Sequence, residues 1–150
     1  MKPLIVLIVA FAVLASITYF YRGHANILFS GNVAMFLMLI LTAIGHFKFT
    51  QGMMMMVPAY IPFKKELVYA TGVLEILLGI GLLFPASRQI SGIALVILFI
   101  LMLPANITGA INQINYEKAS YDGPGLGYLW FRVPLQLFFI CWVTFFSIKN

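Results

Sequence analysis

The stretch YATGVLEILLGIG, Tyr69 to Gly81, decides how the chain is read. Its residues are almost all apolar or small, and one carboxylate, Glu75, stands near the middle. On a helix, Gly72, Glu75 and Gly79 follow the i, i+3, i+7 spacing and share one face, where small residues let a neighbouring helix come close. A carboxylate facing lipid near the centre of a bilayer costs at least about 2.5–3.5 kcal/mol. Glu75 is therefore expected to point into protein and to meet a partner or hold a proton.

The rest of the sequence places that helix in a membrane. Of 150 residues, 63% are hydrophobic and 9% are charged, more apolar surface than a soluble domain of this size can hide. Apolar runs cover Leu4 to Tyr21, Gly31 to Phe47, Leu67 to Phe84, Ile90 to Ala105 and Leu126 to Ile148, each near the ~20 residues that cross a ~30 Å hydrocarbon layer. They are continuous rather than alternating, which selects helices over a β-barrel. The expected fold is all-α, a polytopic, multi-pass integral membrane helical bundle. The N-terminal run, MKPLIVLIVAFAVLASITYFYRG, is long and lacks a small-x-small cleavage site, so residues 1–22 are expected to stay as a transmembrane helix.

Nine Lys or Arg against four Asp or Glu give a formal net charge of +5. The basic residues are scattered at segment ends, which suits headgroup contact and topology control and not nucleic-acid binding. Lys2, Lys48, Lys64, Lys65 and Lys118 fall on one side, and Arg22, Arg88 and Lys149 on the other, a lean toward a cytoplasmic N-terminus. The single cysteine, Cys141, excludes an intramolecular disulfide, a CxxC pair and a thiolate metal cluster. No cofactor is expected to be built in.

Two connections stand out. Residues 52–63 hold Met53 to Met56 and then Val57, Pro58, Ala59, Tyr60, Ile61 and Pro62, too apolar for a solvated loop. They read either as the end of the second helix packed on lipid and neighbours, methionine being a flexible gap filler, or as a lid over an internal cavity. Residues 112–127 form a polar loop ending in Gly-Pro-Gly-Leu-Gly, which lacks the strand and lysine of a phosphate cradle. Pro85 to Arg88 reads as a tight turn, and Pro104 is expected to bend the fourth helix.

Few polar residues fall inside the runs. Arg132 and Gln136 share a face of the last helix; Arg132 either snorkels to the surface or makes an inward ion pair or anion contact. His46, near the end of the second helix, is either a hydrogen-bonded structural residue or a proton-exchanging one. Packed together, His46, Glu75, Asn106, Arg132 and Gln136 would line one internal polar pocket. Two histidines and one intramembrane carboxylate have no metal-ligand spacing, so no metal site is expected.

Five motifs in order, GHF, VPAYIP, ATGVLEILLGIGLLFP followed by Arg88, LPANI and RVPLQ, resemble the DoxX family of small membrane proteins over about Gly31 to Ile148. The resemblance implies a four-helix core, taken here as residues 31–150, with the N-terminal helix as an addition. It draws attention to His46, Pro58, Glu75, Arg88, Asn106, Arg132 and Gln136. The family name is linked to a thiosulfate:quinone oxidoreductase subunit, and more distant relatives include an acetylcholine-receptor chaperone. Two functions are therefore expected as alternatives. In one, the pocket binds a small amphipathic molecule, a quinone or a lipid, in the bacterial inner (cytoplasmic) membrane, accessory to a redox system and without catalysis of its own. Arg132 and His46 would then touch the ligand head, while Glu75 would hold Arg132 or accept a proton. In the other, the chain is an assembly factor for a membrane-protein partner, and the buried polar residues are structural.

Overall fold

The computed structural model describes residues 2–149. They form α1 (Lys2–Arg22), α2 (Ile27–Lys48), α3 (Thr50–Met56), α4 (Lys64–Gly81), α5 (Pro85–Ile111) and α6 (Leu129–Val143). A 3-10 turn at Leu126–Tyr128 leads into α6, and a π-helical turn at Thr144–Ile148 follows it. There is no strand among the described residues; an isolated bridge, Asn115 to Ser120, closes the polar loop on itself.

Four helical runs are long and apolar enough to cross a membrane: Lys2–Arg22, Ile27–Lys48, Pro85–Ile111 and Leu126–Ile148. The expected third run, Leu67 to Phe84, differs from these. Its helix begins with Lys64, Lys65 and Glu66, carries Glu75 inside, and stops at Gly81, so it has too many charges and too few apolar residues to count as a span by composition. It nevertheless lies antiparallel along α2, with Gly72 against His46 at one level and Gly79 against Phe36 and Leu39 at another.

Several boundaries move, each for a local reason. The second helix starts at Ile27 rather than near Gly31, because the Asn26 side chain accepts a hydrogen bond from Phe29 N at 3.1 Å and caps it there. Asn32 thereby becomes an interior residue. Pro85 to Arg88 is the first turn of α5, not the connection before it: Pro85 suits a first helical position, and Leu82 to Phe84 make the turn. That turn is closed by Ser87 Oγ donating to the Gly81 carbonyl at 2.9 Å and Arg88 Nε to the Leu82 carbonyl at 3.1 Å, which satisfies acceptors left open where α4 ends. The α5 helix continues past Pro104 to Ile111, so Asn106 sits inside it and not at its end.

The core lies around α2. Ala34, Met35, Met38 and Leu39 of α2 pack with Leu7 of α1, Leu95, Leu98 and Phe99 of α5, and Leu135, Phe139 and Val143 of α6. The α1 helix is held at its middle, where Phe11 meets Trp142 edge-on at 5.1 Å and Phe146 at 5.5 Å. Large apolar side chains such as Phe20, Ile97, Leu101 and Leu137 point outward, the surface a bilayer would cover. The 52–63 connection is half helical. Its α3 folds back on the bundle, with Gly52 against the Tyr116 carbonyl and the Met56 side chain against Gly109. Its last residue, Phe63, is exposed and adopts a left-handed φ of 53°, uncommon for a side chain of this size.

Candidate functional site

The five residues singled out by the sequence are not drawn into one set of contacts. They form two clusters on different helix pairs. His46 and Glu75 meet between α2 and α4, and Asn106, Arg132 and Gln136 meet between α5 and α6.

The first cluster exists because α4 presents a glycine to α2. A Cβ placed on Gly72 would lie 2.9 Å from His46 Cβ, so only glycine lets the two helices close here. His46 and Glu75 are 5% and 2% exposed. His46 Nδ1 lies 3.1 Å from the Val68 carbonyl and 3.1 Å from Thr71 Oγ1. A carbonyl can only accept, so Nδ1 carries the hydrogen, and the ring is fixed in one orientation with Nε2 turned to Glu75. Nε2 stands 3.6 Å from Glu75 Oε1, within ion-pair range but too long for a direct hydrogen bond. The second carboxylate oxygen, Glu75 Oε2, is buried and has no hydrogen-bond partner. That is unusual, since leaving such a group unsatisfied costs about 1–3 kcal/mol.

The second cluster leaves no buried side-chain nitrogen or oxygen without a partner. Asn106 Nδ2 donates to Gln136 Oε1 at 2.9 Å, and Arg132 Nε donates to Asn106 Oδ1 at 3.3 Å. Gln136 Nε2 donates in turn to the Phe99 carbonyl. The acceptor lies one residue before Ile100, whose carbonyl Pro104 leaves without a helical N–H donor. Every amide atom of Asn106 and Gln136 except the second hydrogen of each NH2 group has a partner. Arg132 faces α5 and its amides, so Glu75 is partnered by His46 and not by Arg132, the more direct of the two expected pairings. Tyr116 lies close enough to feel Arg132: burial first, and then Glu117, raises its phenol above the ordinary range, and Arg132 opposes them.

A third polar cluster was not anticipated. Asn32 Nδ2 donates to the carbonyls of Leu28 at 2.8 Å and Phe146 at 3.0 Å, while Ser147 Oγ donates to Asn32 Oδ1 at 2.7 Å. These bonds tie α2 to the π-helical turn. Its widened ladder frees carbonyls that a side chain must satisfy. An asparagine five residues into an apolar helix was the available signal, hidden by placing the helix start too late. Pro58 is buried in the half-helical connection, and Arg88 caps the end of α4.

Two surface grooves lie elsewhere. One of about 390 Å³ is lined by Ala110, Gln113, Gly123, Pro124 and their neighbours in the polar loop. The other, of about 350 Å³, is an apolar furrow between α1 and α6, walled by Leu4, Ile8, Phe131 and Leu135. None of the five residues lines either groove. Among the described residues no three His, Cys, Asp or Glu side chains come together as a metal-ligand group.

No curated protein and no solved structure matches the chain. A family model described as a domain of unknown function, DUF8561, matches residues 35–147, from the third turn of α2 to the π-helical turn after α6 and leaving α1 outside. The chain belongs to the DUF8561 family.

Proposed function

We propose that this is a DoxX-like multi-pass membrane protein that binds a small amphipathic molecule, a quinone or a lipid, with the ligand's polar head at His46 and Glu75. In this reading it serves a redox system of the bacterial cytoplasmic membrane as an accessory protein and carries out no catalysis alone. The observation that supports it is the partnerless Glu75 Oε2 beside a histidine held in a fixed orientation. A buried carboxylate oxygen without a donor is an unfilled demand that a bound head group can meet. A quinone carbonyl only accepts, so His46 Nε2 would hold it whenever that nitrogen carries a hydrogen. The half-helical segment at 52–63 reaches the turn of α2 that bears the histidine, with the Met53 methyl 3.5 Å from where a Cβ on Gly45 would stand. It is well placed to cover the ligand.

Native mass spectrometry of the protein released from mild detergent tests this reading. The wild-type protein should carry a quinone-sized or lipid adduct, and Glu75→Gln should lose most of it while remaining folded. An adduct retained equally by wild type, Glu75→Gln and a His46→Gln variant would sink the reading. The alternative, an assembly factor with structural polar residues, draws on the Asn106–Gln136–Arg132 cluster, whose amides bond to each other, to Arg132 and to the Phe99 carbonyl. It calls for a stoichiometric membrane-protein partner that survives every pocket substitution and is lost on replacing Glu117, Lys118 and Asp122 in the polar loop.

A further inference from the structure

Resting on the ligand reading above, we infer that the group received at Glu75 is a hydroxyl, one that donates its hydrogen to Glu75 Oε2 and accepts from or lies beside His46 Nε2. Hydrogen accounting leads there. The Val68 carbonyl, 3.1 Å from His46 Nδ1, requires the ring hydrogen on that nitrogen. Thr71 Oγ1, also 3.1 Å from Nδ1, has the Leu67 and Val68 carbonyls as acceptors at 3.0 and 2.9 Å and does not need the ring nitrogen as one. At most one further hydrogen then remains to be placed between Nε2 and the carboxyl group across 3.6 Å, and with none Glu75 is a carboxylate beside a neutral ring.

Each placement leaves Oε2 an acceptor. If Nε2 carries the hydrogen, Glu75 is a carboxylate and both its oxygens accept. If Oε1 carries it, the hydrogen points at Nε2 and Oε2 is the carbonyl oxygen. A hydrogen on Oε2 would set two lone pairs against each other, Nε2 against Oε1, in a buried site where such repulsion is poorly screened. A hydrogen on both Nε2 and the carboxyl would bury an uncompensated charge.

Oε2 therefore needs a donor, and the protein supplies none. An ether, an ester or a quinone carbonyl has none to give. An ammonium could pair with an ionised Glu75 only by bringing a full charge out of water into a buried apolar site. A hydroxyl is neutral, donates once and still accepts.

The test is titration of the full chain in lipid nanodiscs with para-dodecylphenol and with its methyl ether, which differ by the donor alone. The phenol should bind wild type at least about tenfold tighter, the worth of one hydrogen bond to a charged or strongly polarised group. That preference should fall to within about twofold in Glu75→Leu, which has no acceptor, and shrink partly in Glu75→Gln, whose amide oxygen is a weaker one. If Glu75→Leu does not fold, the partial loss in Glu75→Gln decides. Equal binding of phenol and ether to wild type overturns the inference and leaves the ligand reading standing. A phenol preference unchanged in both variants also overturns it, since the hydroxyl is then read elsewhere. Failure of both probes to bind wild type, or binding of both that ignores every substitution at His46 and Glu75, overturns the ligand reading itself.

Discussion

The α2–α4 and α5–α6 interfaces each hold a polar cluster, and the two are in opposite condition. Between α5 and α6, two amides and a guanidinium run donor to acceptor until they end on the Phe99 backbone carbonyl. Between α2 and α4, a histidine is locked by two partners on one nitrogen, and its carboxylate neighbour is left half satisfied. In an apolar surrounding a completed network rigidifies, whereas an incomplete one is costly unless something else completes it. Inward polar residues therefore serve as a clasp in one place and as a candidate receptor in the other.

The comparison breaks most visibly at the clasp. Asn106→Leu strips a partner from both Arg132 and Gln136, and should lower unfolding stability in detergent by roughly 1–3 kcal/mol without changing ligand affinity. Loss of affinity with no loss of stability would move the receptor to α5–α6. Gly72→Ala should act on both properties at the other interface. Its new Cβ would meet His46 Cβ at 2.9 Å, driving α2 and α4 apart at a cost of about 1–2 kcal/mol and weakening adduct binding in the same preparation.

Glu75→Gln should be milder in thermal or chemical unfolding, costing about 1 kcal/mol or less, because Oε2 has no bond to lose and the contact to His46 is long. A loss of about 3–5 kcal/mol, the cost of severing a well-made buried ion pair, would put Glu75 among the structural residues. The smallest effect is expected at the membrane edge. Lys2 Nζ pairs with Glu117 Oε1 at 3.0 Å with both side chains exposed, so Lys2→Ala should leave the unfolding midpoint unchanged within error, at low and at high salt.

How far the sequence could be read depended on how local each cause was. The apolar runs of α1, α5 and α6 were legible because a residue's preference for lipid over water hardly depends on its neighbours. The inward face of α4 was legible too, from the spacing of Gly72, Glu75 and Gly79. Helix ends were less so: Asn26 moved the start of α2 through one side-chain cap, and Pro85, at the first helical position, made a first turn where a connection was expected. The charged start of α4 hid from composition that it lies antiparallel along α2.

Which buried polar groups would meet was beyond the sequence, since Arg132, His46 and Glu75 offered compatible charges and hydrogen bonds in several pairings. Only the packing of helices chose among them. Gly72 lets α2 close on α4 and brings His46 to Glu75, and the packing of α5 on α6 brings Asn106 and the Phe99 carbonyl to Arg132 and Gln136. By itself the sequence determined that this chain is a bundle of apolar helices with a few costly polar residues turned inward, because burial free energies are set residue by residue. The tertiary structure alone decided which of those residues are spent on one another and which oxygen is left over, because hydrogen bonds depend on distances between side chains that lie far apart along the chain.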